Sequence, residues 1–166
     1  VADLCALAVG KAHVYVATDD VRIANKARGV GFTALMTSTD ALTGTDRLAE
    51  AAQMIDYDIY INVQGDEPLV DPGDIKRCIE IKTEYSDQVV NGYCWMGGDE
   101  DPFNGNIPKL ITNENDCLIY MSRAPLPAYK DEKNAPRRFK KQVCIYGFSR
   151  EDLEVFAAFG KKSKLE

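Results

Sequence analysis

The order of strand-like and helix-like segments predicts an α/β fold with a mostly parallel sheet. In the first half of the chain, short β-branched and aromatic runs alternate with segments of helical periodicity. Such alternation is typical of parallel strands joined by right-handed crossovers. The second half holds several strand-like runs with little helix between them, which indicates added antiparallel strands. The 166 residues are expected to form a single domain.

Three strands and four helices are predicted in the first half. The strands are the apolar runs 13–18, 32–36 and 57–63. The helices are 1–8, 21–28, 44–54 and 72–84. Asp20 is placed to cap the second helix, and Asp71 followed by Pro72 is a typical start for the fourth.

The second half predicts four strands and a final helix. The strands are 88–96, 108–111, 117–121 and 141–148. The segment 124–138 is rich in proline and lysine and predicts an exposed excursion. Ser149 is expected to cap a helix that runs to about residue 159, and Ser163–Glu166 resembles the first turn of another helix.

Composition narrows the classes of function. The formal charge of −6 argues against non-specific nucleic-acid binding, which usually needs a basic face. No apolar run approaches the roughly 18 residues of a membrane span, and no signal peptide is visible. The five cysteines are widely spaced without a C-x-x-C pair, as expected in a reducing cytoplasm. The sequence has a single histidine, His13, which argues against a zinc site.

An acidic side chain follows the strongest of the predicted strands. Strand 57–63 is followed by Gln64, Gly65, Asp66 and Glu67. In open α/β sheets, ligands bind outside the carboxyl ends of the strands. A carboxylate there suits Mg²⁺, which takes one or two carboxylates together with waters and phosphate oxygens. The alternative is an ordinary solvent-exposed turn, where the same residue types are common.

Seven short motifs are spread over nearly the whole chain. They are VYVATDD (14–20), MTS (36–38), TGTDRLAE (43–50), NVQGDEP (62–68), YMSRAP (120–125), IYGF (145–148) and SKLE (163–166). Together they resemble the sugar-acid cytidylyltransferases, and among them the enzymes that make CMP-Kdo, and they follow the order found in that family. The combination of NVQGDEP with TGTDRLAE is the most specific part of the resemblance.

The resemblance implies a reaction and a cofactor. Members of this family transfer CMP from CTP to the anomeric hydroxyl of a 3-deoxy-keto-sugar acid such as Kdo, releasing pyrophosphate, for lipopolysaccharide or other cell-surface glycans. It also implies a Rossmann-like, three-layer nucleotidyltransferase sandwich, a cytoplasmic location and a homodimer. By the resemblance, Asp66 is the Mg²⁺ ligand and Gln64 lies near the sugar and the metal.

The resemblance also assigns a nucleotide site. Thr43, Gly44 and Thr45 match the family's segment beside the cytosine ring, and Arg47 is a candidate for contact with the base or a phosphate. The same residues also make an ordinary capped helix start, in which Asp46 is favoured by the helix dipole.

The sugar-acid site is predicted from three further residues. Arg123 could hold the sugar carboxylate through two hydrogen bonds, or it could be a surface arginine. Tyr146 matches a position near the sugar but could equally be a core tyrosine. Gln142 stands where the family often has histidine, and glutamine cannot carry the positive charge. This departure leaves room for another sugar acid, such as a modified Kdo or an acylneuraminate.

Two family features have no match in the sequence. One is the opening loop, rich in arginine, that grips the phosphates of CTP; the other is a second metal-binding aspartate near the carboxyl end. We therefore expect that sequence is missing at both ends and that the 166 residues alone are inactive. A non-catalytic Rossmann-like binding domain is the alternative from another class. A dehydrogenase is disfavoured, because Gly29 and Gly31 follow a helix and not a strand.

Overall fold

The structure, a computed structural model, describes residues 1–160 as parts of two compact units. The first unit holds Val1–Val90 together with the described residues from Cys144 onward, and the second unit holds Asn91–Val143. The helical turn predicted at Ser163–Glu166 lies outside the described residues.

Side-chain caps mark the start of four of the five helices in the first unit. The helices are α1 (Ala2–Val9), α2 (Val21–Gly29), α3 (Gly44–Ala52), α4 (Pro72–Glu84) and α5 (Arg150–Phe159). Asp20 accepts a hydrogen bond from the Arg22 amide at 2.8 Å, and Asp71 accepts one from the Gly73 amide at 2.7 Å. Ser149 forms a capping box at the start of α5. All three predicted caps are confirmed.

Seven strands lie in the described residues. They are β1 (Tyr15–Thr18), β2 (Thr33–Met36), β3 (Ile59–Val63), β4 (Val90–Trp95), β5 (Lys109–Thr112), β6 (Leu118–Ser122) and β7 (Lys140–Ser149). In the first unit, β1 and β2 pair in parallel, with Tyr15 opposite Thr33. β3 and the last five residues of β7 pair antiparallel, from Ile59 opposite Ser149 to Val63 opposite Ile145.

The paired strands β3 and β7 carry helices on both faces. On one face, Tyr60 and Phe148 belong to an apolar cluster with residues of α3 and α5, which are Ala49, Ala52 and Leu153. On the other face, Ile61 and Gly147 lie against Cys78 of α4. Successive residues of a strand point to opposite sides, so these strands form the middle of three layers. The α/β class is confirmed, with an antiparallel component larger than the sequence indicated.

A second apolar cluster lies among α1, α2, β1 and β2. Its buried residues are Val14, Ala27 and Phe32, and half-buried side chains of α1 pack against them. The short apolar helix α1 therefore has a defined place in the first unit. A 3₁₀ turn at Lys11–His13 joins α1 to β1, and this turn explains why β1 begins two residues later than predicted.

Lys82 of α4 is buried by its neighbours and paired with α5. Its side chain is 1% exposed, and its Nζ lies 2.8 Å from Asp152 Oδ2. The same ammonium donates to the carbonyl oxygens of Ser86 and Gln88, both at 2.8 Å. Asp152 also accepts a hydrogen bond from the Ser149 amide at 2.7 Å, as part of the capping box of α5. One buried cation thus joins the end of α4 to the start of α5.

The second unit is built on antiparallel strands. β5 and β6 pair from Lys109 opposite Ser122, with an irregularity between Ile111 and Thr112. β5 also pairs with the first residues of β7, where Lys109 lies opposite Lys141. The side chain of Lys109 is buried and donates to the carbonyl oxygens of Asn104 and Arg123. Burial lowers the pKa of this lysine from its ordinary value.

Among the helices of residues 1–160, none combines the length and the apolar character needed to cross a membrane.

Replacing Gly147 with alanine is expected to destabilise the first unit. A Cβ at this buried position would lie 3.3 Å from Cys78 Sγ, 3.3 Å from Lys82 Cβ and 3.4 Å from Ile61 Cδ1. Overpacking of this kind costs about 1–3 kcal/mol, to be measured as the free energy of unfolding in urea. Gly29→Ala is the matched control, because a Cβ there meets nothing within 4 Å. Equal stability of the two variants would contradict the expectation.

Candidate active site at the end of strand β3

Asp66 lies at the tip of a tight turn that directly follows β3. The Glu67 amide donates to the Gln64 carbonyl oxygen at 3.2 Å, which closes the turn around Gly65 and Asp66. Both central residues are exposed. A Cβ added to Gly65 would meet nothing within 4 Å, so the space beside Asp66 is open. The turn therefore presents a carboxylate to solvent at the carboxyl end of a strand, as the sequence predicted.

The turn is fastened to β7 on both sides of Asp66. The Gln64 amide donates to the Cys144 carbonyl oxygen at 3.3 Å. The Cys144 amide donates to Glu67 Oε1 at 3.1 Å. Gln64 and Glu67, the first and last residues of the turn, thus both form hydrogen bonds with Cys144 on the neighbouring strand.

The acidic turn raises the pKa of two groups on β7. Burial has the largest effect on Tyr146, and together with Cys144, Asp66 and Glu67 it raises the pKa of this phenol to about 12. Burial also raises the pKa of the Cys144 thiol, with further contributions from Asp66 and Glu67. Burial is the main cause of both shifts, and the nearby carboxylates of Asp66 and Glu67 add to it.

Tyr146 packs in the core, which is one of the two roles that the sequence left open. Its ring packs against the apolar cluster of α3 and α5, and it stacks on Phe148 at 6.2 Å between ring centroids. It also lies directly opposite Asn62 in the β3–β7 pair. Contact of Tyr146 with a sugar stays a prediction.

The start of helix α3 lies beside the end of β3. Thr43 and Asp46 form a capping box, in which the Thr43 amide donates to Asp46 Oδ2 at 2.7 Å. A Cβ added to Gly44 would lie 3.5 Å from the Gln64 Nε2 and 3.8 Å from the Asn62 Nδ2. The structure thus brings the predicted nucleotide segment Thr43–Thr45 next to Gln64. Thr45 lies in the first turn of this helix and is half-buried.

Asn62 is a site residue to which sequence reasoning gave no role. Among the described residues that are not exposed, its Nδ2 is the one buried side-chain nitrogen or oxygen without a hydrogen-bond partner. A buried amide without a partner costs free energy, so this atom is a candidate for contact with a bound molecule. The signal in the sequence was a polar asparagine inside the apolar strand IYINV.

Arg47 is held by groups that follow β1 and β2. Its guanidinium donates to Thr37 Oγ1 at 2.5 Å and lies 3.4 Å from the Asp19 carboxylate. Asp20, and not Asp19, caps α2, which leaves Asp19 available for this ion pair. Arg47 therefore ties the start of α3 to two strand ends. The sequence did not predict its partner Asp19, and contact of Arg47 with the base or a phosphate stays a prediction.

Arg123 and Gln142 both belong to the second unit. Arg123 is exposed, and its Nη1 donates to the carbonyl oxygens of Gly105 and Asn106 at 3.1 and 3.2 Å. The Gln142 Nε2 donates to Asn91 Oδ1 at 3.3 Å. Both side chains thus make contacts within that unit, and their predicted contact with a sugar acid stays a prediction.

The residues at the end of β3 fit a magnesium ion. Within residues 1–160, no group of three or more histidine, cysteine, aspartate and glutamate side chains is arranged to hold a metal. Mg²⁺ does not need such a group, because it binds one or two carboxylates and completes its shell with waters and phosphate oxygens. The exposed Asp66 carboxylate is a ligand of that kind. The Mg²⁺ site stays a proposal.

In α/β folds, ligands bind at the carboxyl ends of strands, which is where Asp66 and the start of α3 lie. The chain belongs to the cytidylyltransferase family, whose sequence model matches residues 5–163. It is similar to the 3-deoxy-manno-octulosonate cytidylyltransferase of Trichlorobacter lovleyi, with 42% identity over 159 residues, covering 86% of this chain and 61% of the relative. It is also similar to the 8-amino-3,8-dideoxy-manno-octulosonate cytidylyltransferase of Shewanella oneidensis, with 35% identity over 170 residues, covering 96% of this chain and 67% of the relative.

One solved structure is also similar to this chain. The structure of CMP:2-keto-3-deoxy-manno-octonic acid synthetase complexed with CTP matches with a TM-score of 0.86 and 31% identity. The match covers 98% of this chain and 66% of that protein. The chain spans 61% of the length of the Trichlorobacter relative. The predicted family and the predicted fold class are confirmed.

Proposed function

We propose that this chain belongs to an enzyme that transfers CMP from CTP to the anomeric hydroxyl of Kdo and releases pyrophosphate. The observation that carries the proposal is the exposed Asp66 carboxylate. It is held on the turn after β3, which is hydrogen-bonded to β7 and lies beside the start of α3. Membership of the cytidylyltransferase family supports the same reaction. A role in lipopolysaccharide or surface-glycan synthesis, a cytoplasmic location and a homodimer belong to the proposal.

Asp66 would hold Mg²⁺ with oxygens of the nucleotide. When bound, Mg²⁺ neutralises charge on the phosphates and lowers the pKa of the sugar hydroxyl. The chain itself supplies position and charge and no covalent nucleophile, because phosphoryl transfer depends mainly on alignment and electrostatic stabilisation. The open space beside Gly65 leaves room for phosphate oxygens next to this carboxylate.

The nucleotide would bind at the start of α3. The first amides of a helix lack partners within the helix and can donate to a bound ligand. The side-chain amides of Asn62 and Gln64 lie close to Gly44 and add further donors there. The unpartnered Asn62 nitrogen supports contact at this place. Arg47, fixed by Asp19, would add positive charge near the nucleotide.

Gln64 and Tyr146 of the first unit would contact the sugar acid. For Gln142 and Arg123, the resemblance to the family is the only support for such a contact. An 8-amino-3,8-dideoxy sugar acid is the second candidate substrate. It is supported by the Shewanella relative, which aligns with 96% of this chain, and by glutamine in place of histidine at Gln142. Glutamine can donate and accept hydrogen bonds but adds no charge beside an amino-substituted sugar.

A panel of sugar acids tests the proposed reaction. Pyrophosphate release is measured with CTP and Mg²⁺ for Kdo, its 8-amino-3,8-dideoxy analogue and N-acetylneuraminate, with the native-length protein and with the 166-residue chain. We expect turnover of Kdo by the native-length protein and none by the 166 residues alone. Turnover of the amino sugar without turnover of Kdo would identify the second candidate as the substrate. CTP binding without turnover of any acid would favour a non-catalytic binding domain.

A further inference from the structure

The pairing of β3 with β7 becomes irregular at Gln64, the first residue of the turn that carries Asp66. The register places Val63 opposite Ile145, so Gln64 lies opposite Cys144. In an antiparallel hydrogen-bonded pair, each residue donates its amide to the carbonyl oxygen of the other. Gln64 and Cys144 make one of these two bonds, from the Gln64 amide to the Cys144 carbonyl oxygen at 3.3 Å.

The second bond of the pair is replaced by a side chain. The Gln64 carbonyl oxygen accepts from the Glu67 amide at 3.2 Å and so closes the turn. The Cys144 amide, which the regular pairing would give to Gln64, donates instead to Glu67 Oε1 at 3.1 Å. One glutamate thus contributes its amide to close the turn and its carboxylate to complete the strand pairing.

We propose that Glu67 is a positioning residue, whose carboxylate takes the place of a backbone acceptor and fixes the turn that carries Asp66 to β7. A hydrogen bond from an amide to an ionised carboxylate is stronger than a neutral one. Asp66 itself is exposed, and its position depends on the two residues that flank the turn. The proposal rests on the proposed function to the extent that Asp66 binds a metal ion.

The other role open to Glu67 is direct metal ligation. The two roles differ in what they require from the side chain. Positioning requires an oxygen that accepts from the Cys144 amide, and glutamine supplies one. Ligation of Mg²⁺ depends on the charge of the carboxylate, and the neutral amide oxygen of glutamine is a much weaker ligand. Glu67→Gln and Glu67→Ala therefore separate the two roles.

Amide exchange measured by NMR on the full 166-residue chain tests the positioning role. We expect the Cys144 amide to exchange about tenfold faster in Glu67→Ala and at nearly the wild-type rate in Glu67→Gln, as for the loss of one hydrogen bond. The amide of Leu153, which is buried in α5, should be unaffected in both variants. Glu80→Ala is the control, because Glu80 is an exposed glutamate whose pairing is confined to Arg77 on the same helix.

A titration with Mn²⁺, a paramagnetic substitute for Mg²⁺, provides the second measurement. Broadening of the Gly65 amide should require about tenfold more Mn²⁺ in Glu67→Ala, and no more than about threefold more in Glu67→Gln. An unchanged Cys144 amide in Glu67→Ala, or an equal loss of Mn²⁺ binding in both variants, would overturn the proposal. If the wild-type chain shows no broadening and Asp66→Asn changes nothing, metal binding by Asp66 fails, and the exchange rates alone decide the role of Glu67.

Discussion

Asp66→Asn is expected to lower kcat/KM for CMP transfer by about 10²–10³-fold in the native-length protein, the range found when one electrostatic contact to a charged transition state is removed. The substitution keeps the size of the side chain and removes its charge. Because Asp66 is exposed at the tip of the turn, the free energy of unfolding should stay within about 0.5 kcal/mol of the wild type. Pyrophosphate release at several Mg²⁺ concentrations is the measurement.

Asp58→Asn is the matched control for Asp66. Asp58 is also exposed and precedes the same strand, at the end away from the turn. It should leave kcat/KM and its dependence on Mg²⁺ unchanged. Activity of Asp66→Asn within about threefold of the wild type would show that this carboxylate is not needed for phosphoryl transfer.

Lys82→Met is expected to destabilise the protein by about 3–5 kcal/mol, the usual cost of removing one partner from a buried ion pair. Methionine fills a similar volume but leaves Asp152 without its cation. It also removes the two hydrogen bonds to the carbonyl oxygens of Ser86 and Gln88. Unfolding in urea, followed by circular dichroism, measures the loss.

Arg77→Met is the control on the same helix. Arg77 pairs with Glu80 at 3.5 Å, but both side chains are about two-thirds exposed. Surface pairs of this kind contribute about 0–1 kcal/mol. If Arg77→Met destabilised the protein as much as Lys82→Met does, burial would not be the source of the effect.

The pair of Lys82 and Asp152 also predicts how stability changes with pH. Burial alone would raise the pKa of Asp152, but the hydrogen bonds from Lys82 and Ser149 outweigh it, and the pKa lies below its ordinary value. As the pH falls through about 4, Asp152 is therefore protonated in the unfolded chain before it is protonated in the folded protein. The contribution of the pair is present above that pH and is lost on acidification. The Lys82→Met variant should therefore lose less free energy of unfolding on acidification than the wild type does.

The helices of the first unit were the most predictable part of the fold. Asp20, Asp71 and Ser149 cap helices at the expected positions, because capping depends on residues close together in the sequence. The antiparallel pairing of β3 with β7 was not predicted. It joins residues up to 90 positions apart, and local patterns carry no information on such pairing.

The distinction between local patterns and long-range contacts also explains which parts of the site were predicted. Asp66 and the start of α3 were found from motifs that are contiguous in the sequence. The ion pair of Asp19 with Arg47 and the bond from Cys144 to Glu67 were missed, because each depends on how separate elements pack. Asn62 could have been singled out as a polar residue in an apolar strand, but its unpartnered nitrogen is visible only in the structure.

The first unit is discontinuous in the sequence, and this has a consequence for folding. Residues 1–90 lack a strand partner for β3 until the segment that begins at Cys144 arrives. The contact between Cys144 and Glu67 spans 77 residues, and the contact between Lys82 and Asp152 spans 70. Contacts of such long range form slowly, because the intervening chain must lose entropy first. During synthesis from the amino end, the turn that carries Asp66 is therefore fixed only after β7 has emerged, in the same late step that completes the core.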